Sequence, residues 1–202
     1  MRWDSLFDDL ESQLEHELHS DENDLRAEEY RHRLGRLSLR ERIATFSSQE
    51  RNKRERVALE LVTGETIVVV PQTFGRDWLS ADLVTAGEQA GAVLVLMDAV
   101  AAVLVPKPMV TRSLEVPEVA DNEPRLTDRI GIAFALRDLC RRRAFVSVHC
   151  VSAVSAVHSG TIDRVGRDHF DLAVHEAGVA RRERNVAHER LVPFSQLAYL
   201  RL

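Results

Sequence analysis

The stretch "SGTIDRVGRDHFDLAV" (residues 159–174) decides the fold. Aliphatic and aromatic residues alternate on both sides of a Gly-Arg-Asp triplet, the period of two that marks strands with one buried face. Ile162 and Val165 point inward before the triplet, and Phe170, Leu172 and Val174 after it. Gly160 falls inside the first run, where glycine marks a bend or a close approach of backbone. Gly166 and Asp168 form the turn, with Gly166 expected at positive φ and Asp168 bonded to its own backbone. The pattern is a sharply bent strand, a tight turn and a returning strand.

A second Gly-Arg-Asp stands earlier in "FGRDWLSADL" (residues 74–83). With Gly75 placed on Gly166, Asp77 falls on Asp168, Leu79 on Phe170, Ala81 on Leu172 and Leu83 on Val174. The inward phase agrees throughout, and a slip of one residue would invert it. Further on, "LVLMDAVAAVL" aligns with "LVPFSQLAYLR", each a strand, a break of three residues and a short final strand. "RLSLRERI" precedes the first set as "RLTDRIGI" precedes the second. The chain therefore reads as two copies of one unit, a helix followed by five short strands.

Around these copies the organisation is legible by composition. Residues 1–35 carry eleven acids against four arginines and form an acidic helical arm, with helices expected at about 3–19 and 22–46. Trp3, Phe7, Leu10, Leu14 and Leu18, spaced by three and four, make one helical face, which suits either packing on the rest of the chain or a dimer or partner contact. Residues 36–105 hold the first repeat and 125–202 the second. Between them, 106–124 carry four prolines and read as a linker that is not helical throughout. Thr127 is the candidate cap of the second entering helix, with Ile130, Phe134, Leu136 and Leu139 as its apolar stripe.

The helix followed by five bent strands, the "SGTIDRVGRDHFDLAV" signature and the end "RLVPFSQLAYLRL" resemble the Sm-like (LSm-type) fold. The whole chain, with "RWDSLFDDLE" at its start and "VGRD" near its end, is similar to a family of high-GC Gram-positive bacterial proteins commonly labelled Fis-type transcriptional regulators. That label implies a C-terminal helix-turn-helix, whereas "PFSQLAYLRL" reads as strand. The Sm resemblance implies a mainly β protein with helices: two five-stranded bent barrels, each preceded by a helix. It also implies uridine-reading residues before the last strand, where "MDA" and "FSQ" supply neither a basic residue nor glycine.

Composition bounds the function. The net charge of −5 gives no bulk attraction to nucleic acid. The longest apolar run, "AGAVLVLMDAVAAVLV", is interrupted by Asp98 and shorter than a membrane span. The acidic, broken N-terminus is not a signal peptide. With only Cys140 and Cys150, a reduced, cytoplasmic protein is expected. The histidines His149, His158, His169, His175 and His188 gather in the second repeat beside Cys150, but without the spacing of a metal site. No motif for a nucleophile, a phosphate loop or paired carboxylates is present, so neither enzyme activity, metal nor cofactor is expected.

Arginine-rich clusters remain. Arg51, Lys53, Arg54 and Arg56 precede the first strand set. Arg141, Arg142 and Arg143 precede the second, and Arg181, Arg182 and Arg184 tip its long hairpin. They suit either helix-end complementarity or phosphate contacts. The expectation is a non-enzymatic protein acting in association and self-assembly, a homo-oligomer (a dimer first) or the companion of another protein. A nucleic-acid regulator binding RNA more than DNA is the alternative.

Overall fold

In the computed structural model the described residues are 25–32, 34–47, 55–86, 88–114, 126–152 and 157–202. Contacts divide the chain into Met1–Leu39 and Arg40–Leu202. In the first unit, residues 25–32 and 34–36 are helical. The helix expected at 3–19 and the apolar face Trp3, Phe7, Leu10, Leu14 and Leu18 lie outside the described residues. The helix expected at 22–46 is broken at 37–38 and resumes as α1 (Leu39–Ala44).

The second unit is built on one antiparallel sheet of ten strands. β1 (Val57–Leu61), β2 (Thr66–Phe74), β3 (Trp78–Thr85), β4 (Glu88–Leu96) and β5 (Val100–Leu104) come from the first repeat. β6 (Phe145–Cys150), β7 (Val157–Val165), β8 (His169–Val174), β9 (His188–Pro193) and β10 (Leu197–Arg201) come from the second. The spatial order is β5-β1-β2-β3-β4-β10-β6-β7-β8-β9, the same five-strand order twice. The sheet is open. The two closed barrels of the sequence reading are not what forms, because β4 pairs onward with β10 and leaves β5 and β9 as the edges of the sheet among the described residues.

The repeat extends to single residue pairs. Val69, Pro71 and Thr73 stand opposite Leu83, Ala81 and Ser80, as Gly160, Ile162 and Arg164 stand opposite Val174, Leu172 and Asp171. Both ladders slip at the same place, between Pro71 and Thr73 and between Ile162 and Arg164. Such a bulge bends its strand and raises the local twist. The turn bonds also match: Gly75 N–H donates to Trp78 O, and Gly166 N–H to His169 O, both at 2.8 Å. The breaks Met97–Ala99 and Phe194–Gln196 are single 3-10 turns.

Two local expectations are corrected. Gly75 and Gly166 do not adopt positive φ, which is confined to Gly64, Gly91 and Gly178 among the described glycines. A side chain at Gly75 would run into the Trp78 ring and Ile130 O, and one at Gly166 into the His169 ring. Both are glycine because the turn folds its own aromatic back over them. The second entering helix, α3 (Ile132–Arg142), starts after a 3-10 turn (Leu126–Arg129) rather than at Thr127. Its first turn is capped from the other repeat, Ile132 N–H donating to Asp77 Oδ1 at 2.8 Å. That start rotates the stripe, so Ile132 and Leu136 are buried while Phe134 is exposed. The proline-rich segment, expected not to be helical throughout, contains one helix among its described residues, α2 (Lys107–Leu114). Pro108 sits in its first turn, where the missing N–H has no intrahelical partner to lose.

Alternation puts Val57, Leu59, Val69, Leu79, Val95, Val146, Val148, Ile162, Phe170 and Leu172 in the core. At the joint between repeats the two faces of the sheet exchange roles. Leu200 faces the second core beside Val148, yet pairs with Leu94, which lies on the outer face of the first repeat beside Ser80. Both are buried, so each repeat seals the outer flank of the other.

Candidate functional site

Three places concentrate chemistry: the joint, the polar end of the second repeat, and the free edges. At the joint, β10 pairs with β4 through Tyr199↔Val95, Leu200↔Leu94 and Arg201↔Val93. The Tyr199 hydroxyl donates to Glu65 of the β1–β2 turn, 3.0 Å from Oε1 and 3.1 Å from Oε2. Burial first, then the Glu65 carboxylate, pushes this phenol well above its usual range. The His149 ring stacks on Tyr199 with centroids 3.9 Å apart. Burial depresses the His149 pKa against the opposing pull of Glu65. This is a latch from the second repeat to the first, and it holds all its partners internally.

The polar end of the second repeat gathers Cys150, His158, His188 and Arg190. His158 stands opposite Val148, and Arg190 opposite Leu172, both on the inner face. The corresponding residues of the first repeat, opposite Leu59 and Ala81, are Ile67 and Val93, which are buried and apolar. His158 Nε2 is buried and finds no hydrogen-bond partner among the described residues. Burial, then Arg190 and His188, depress the His158 pKa, while burial pushes the Cys150 thiol up. Among the described residues no group of three or more His, Cys, Asp or Glu is arranged to hold a metal ion. Cys140, the other free thiol, donates to Asp163 O at 3.3 Å.

An imidazole with no partner costs stability even when neutral. The His158→Ile variant, which restores the first-repeat residue, is expected to be about 1 kcal/mol more stable at pH 7. His149 and His158 both have folded pKa values below the unfolded value of about 6.5. The stability they contribute is complete above that value and lost as pH falls through it. Urea unfolding between pH 7.5 and 5 therefore shows a decline in the parent chain and a shallower one in His158→Ile. An equal decline in both would remove His158 from the account.

The arginine clusters disperse. Arg51, Lys53 and Arg54 lie outside the described residues, and Arg56 is exposed at the entry to β1. Arg141 and Arg142 pair with Asp138 one turn back at 2.6 and 2.7 Å, holding that carboxyl below its usual range. Arg143 ends α3 in the left-handed region, its N–H bonded to Leu139 and Cys140 carbonyls. Arg181 forms a two-pronged pair with Asp163. Arg182 and Arg184 are exposed and make no ion pair among the described residues. Among the described residues the second and third clusters thus divide into paired cations, Arg141, Arg142 and Arg181, and three guanidiniums without an ion pair, Arg143, Arg182 and Arg184.

The free edges carry the exposed apolar surface that sequence reasoning did not locate. β5, "VAAVL", has no charged residue, and its Leu104 is 51% exposed. On β9, Leu191 is 65% exposed, whereas its ladder counterpart Leu94, covered by β10, is 6% exposed. No helix among the described residues is long and apolar enough to cross a membrane. Against protein-family models, curated proteins and solved structures, the chain finds no match.

Proposed function

We propose that the chain is a non-enzymatic association protein built from two Sm-like five-stranded modules, and that it works by presenting open sheet edges to a protein partner, a second copy included. The Sm-like reading is supported by the repeated order in which the fifth strand lies beside the first, and by the 3-10 turn before each last strand. The observation that carries the functional reading is β5: five apolar residues without charge or proline and, among the described residues, no strand paired on one side. Its ladder slip between Val100 and Ala102 has its counterpart in β10, between Leu197 and Tyr199, and β10 pairs on both sides nonetheless. Exposed edges of this kind template strand addition, and soluble proteins otherwise blunt them.

Sedimentation of the full chain across a concentration series is expected to show species larger than one chain, with Leu104→Lys weakening them at least tenfold. Leu104 is exposed, so the variant keeps its fold, which circular dichroism checks. A parent chain that stays single and a variant that behaves identically would end this reading.

Nucleic-acid binding, RNA more than DNA, has Arg143, Arg182 and Arg184 in its favour. With Arg141, Arg142 and Arg181 already paired to carboxylates, retention on a mixed RNA and DNA pool is expected to vanish at moderate salt.

A further inference from the structure

We infer that the partner at the free edges is a second copy of this chain, docked head to tail, with its β5 laid antiparallel on β9. The inference rests on the association reading and names its occupant. Within one chain the repeats already show how two such modules join. The last strand of the second repeat, β10, pairs with β4 of the first. The strands that occupy those two places in the other copies of the unit are β5 and β9, and among the described residues each has a strand on one side only. Applying the same step again places β5 of a second chain on β9.

The register follows from the matched ladders. Ala102 opposes Glu60 as Tyr199 opposes His149, and Leu104 opposes Ala58 as Arg201 opposes Ser147. On the other side, Arg190 and Val192 correspond to Val93 and Val95. The docked pairs are therefore Ala102 on Val192, Val103 on Leu191 and Leu104 on Arg190. This covers Leu191 as β10 covers Leu94. It also exchanges sides in one pair: the internal joint sets Arg201 against Val93, and the docked joint sets Arg190 against Leu104. The two joints each combine one arginine with one aliphatic residue.

Alternative pairings satisfy less. β9 against β9 joins two strands of which half is polar, His188, Glu189 and Arg190, and leaves β5 uncovered. β5 against β5 leaves Leu191 uncovered. A second, separate vacancy points the same way. Asp77 and Trp78 hold the chain entering the second repeat, Asp77 through Ile132 N–H and Trp78 Nε1 through Ile130 O at 3.0 Å. Their counterparts, Asp168 and His169, bond to each other at 2.8 Å, with Asp168 83% exposed. The segment leading into the first repeat of a second chain is what the same step delivers there. Such an interface is heterologous, so it extends by repetition unless the rotation closes it.

The latch is not repeated. Ala102 stands where β10 has Tyr199, so the docked joint lacks the Tyr199–Glu65 bonds and is the weaker and more reversible of the two.

Complementation tests the pairing. Leu104→Lys disables β5 and Leu191→Lys disables β9, both at exposed positions. Each variant alone is expected to sediment as a single chain at concentrations where the parent assembles. An equimolar mixture is expected to give a two-chain species and nothing larger, because one intact β5 meets one intact β9. If Leu191→Lys alone assembles like the parent while Leu104→Lys does not, the association reading stands and the head-to-tail inference falls, β5 pairing with itself. A mixture that stays single-chained while the parent assembles overturns it equally. A parent that never assembles removes both.

Discussion

Gly160→Ala is expected to lower the thermal midpoint by about 6–12 °C, the equivalent of about 3 kcal/mol for a chain of this size. Gly160 sits within β7, opposite Val146 on one side and Val174 on the other. A Cβ there would overlap Ala173 O and stand 2.9 Å from Ala173 C and 3.0 Å from Val174 Cα. All three are backbone atoms of a strand held on both sides, so nothing can swing away. β8 must move, and it carries Phe170 and Leu172, both fully buried. It also carries Ala173, and the chain just beyond it carries His175, whose Nε2 lies 2.7 Å from Thr161 Oγ1. Gly178→Ala is the control. Gly178 has φ +73 with open space around it, so alanine there meets only backbone strain, about 1 kcal/mol. Differential scanning fluorimetry of the two variants decides the matter. A midpoint for Gly160→Ala within 2–4 °C of the parent, about 1 kcal/mol, would mean that the close approach is not a constraint.

The second large effect belongs to Leu200→Ala. Leu200 is fully buried, with Val148 on one flank and Leu94 on the other. Truncating it opens a cavity lined by both repeats, and buried leucine-to-alanine changes cost about 2–5 kcal/mol. The informative comparison is Val103→Ala at the matching position of β5. Val103 opposes Leu59 as Leu200 opposes Val148, but among the described residues no strand covers its other side. It is only half-buried, so its truncation is expected to cost about 1 kcal/mol in the dissociated chain. Urea unfolding at low protein concentration measures both. Equal losses would mean that the joint adds nothing to the burial of Leu200, against the account of the sheet faces given above.

The alternating phase around the two Gly-Arg-Asp triplets was readable because strand periodicity is local and leaves every second residue facing the core. The ladders Ala81–Pro71 and Leu172–Ile162 fall where that phase puts them. The breaks at "MDA" and "FSQ" were readable for a similar reason, as short interruptions between two apolar runs. The roles of the glycines were not. The likeness of Gly75 and Gly166 to ordinary turn glycines hid a requirement set by rings that fold back from three residues on. The start of α3 was missed because its cap, Asp77, lies far away in the sequence. The arginine clusters looked alike in sequence because charge density is local, whereas their neutralisation by Asp138 and Asp163 depends on a helix turn in one case and a neighbouring strand in the other.

What the sequence determined alone is the repeated pattern of helix and five strands, since it needs only the order of apolar and polar residues and the positions of glycine. What the tertiary structure decided is how the ten strands are joined, and so which edges stay open. Pairing β4 with β10 buries Leu94 and Leu200 and leaves Leu104 and Leu191 exposed, although all four are leucines in strands of one sheet. Side-chain chemistry sets which face of a strand is buried. Only the backbone partner on each side sets whether that strand is an interior or an edge, and that choice is made between residues far apart in the chain.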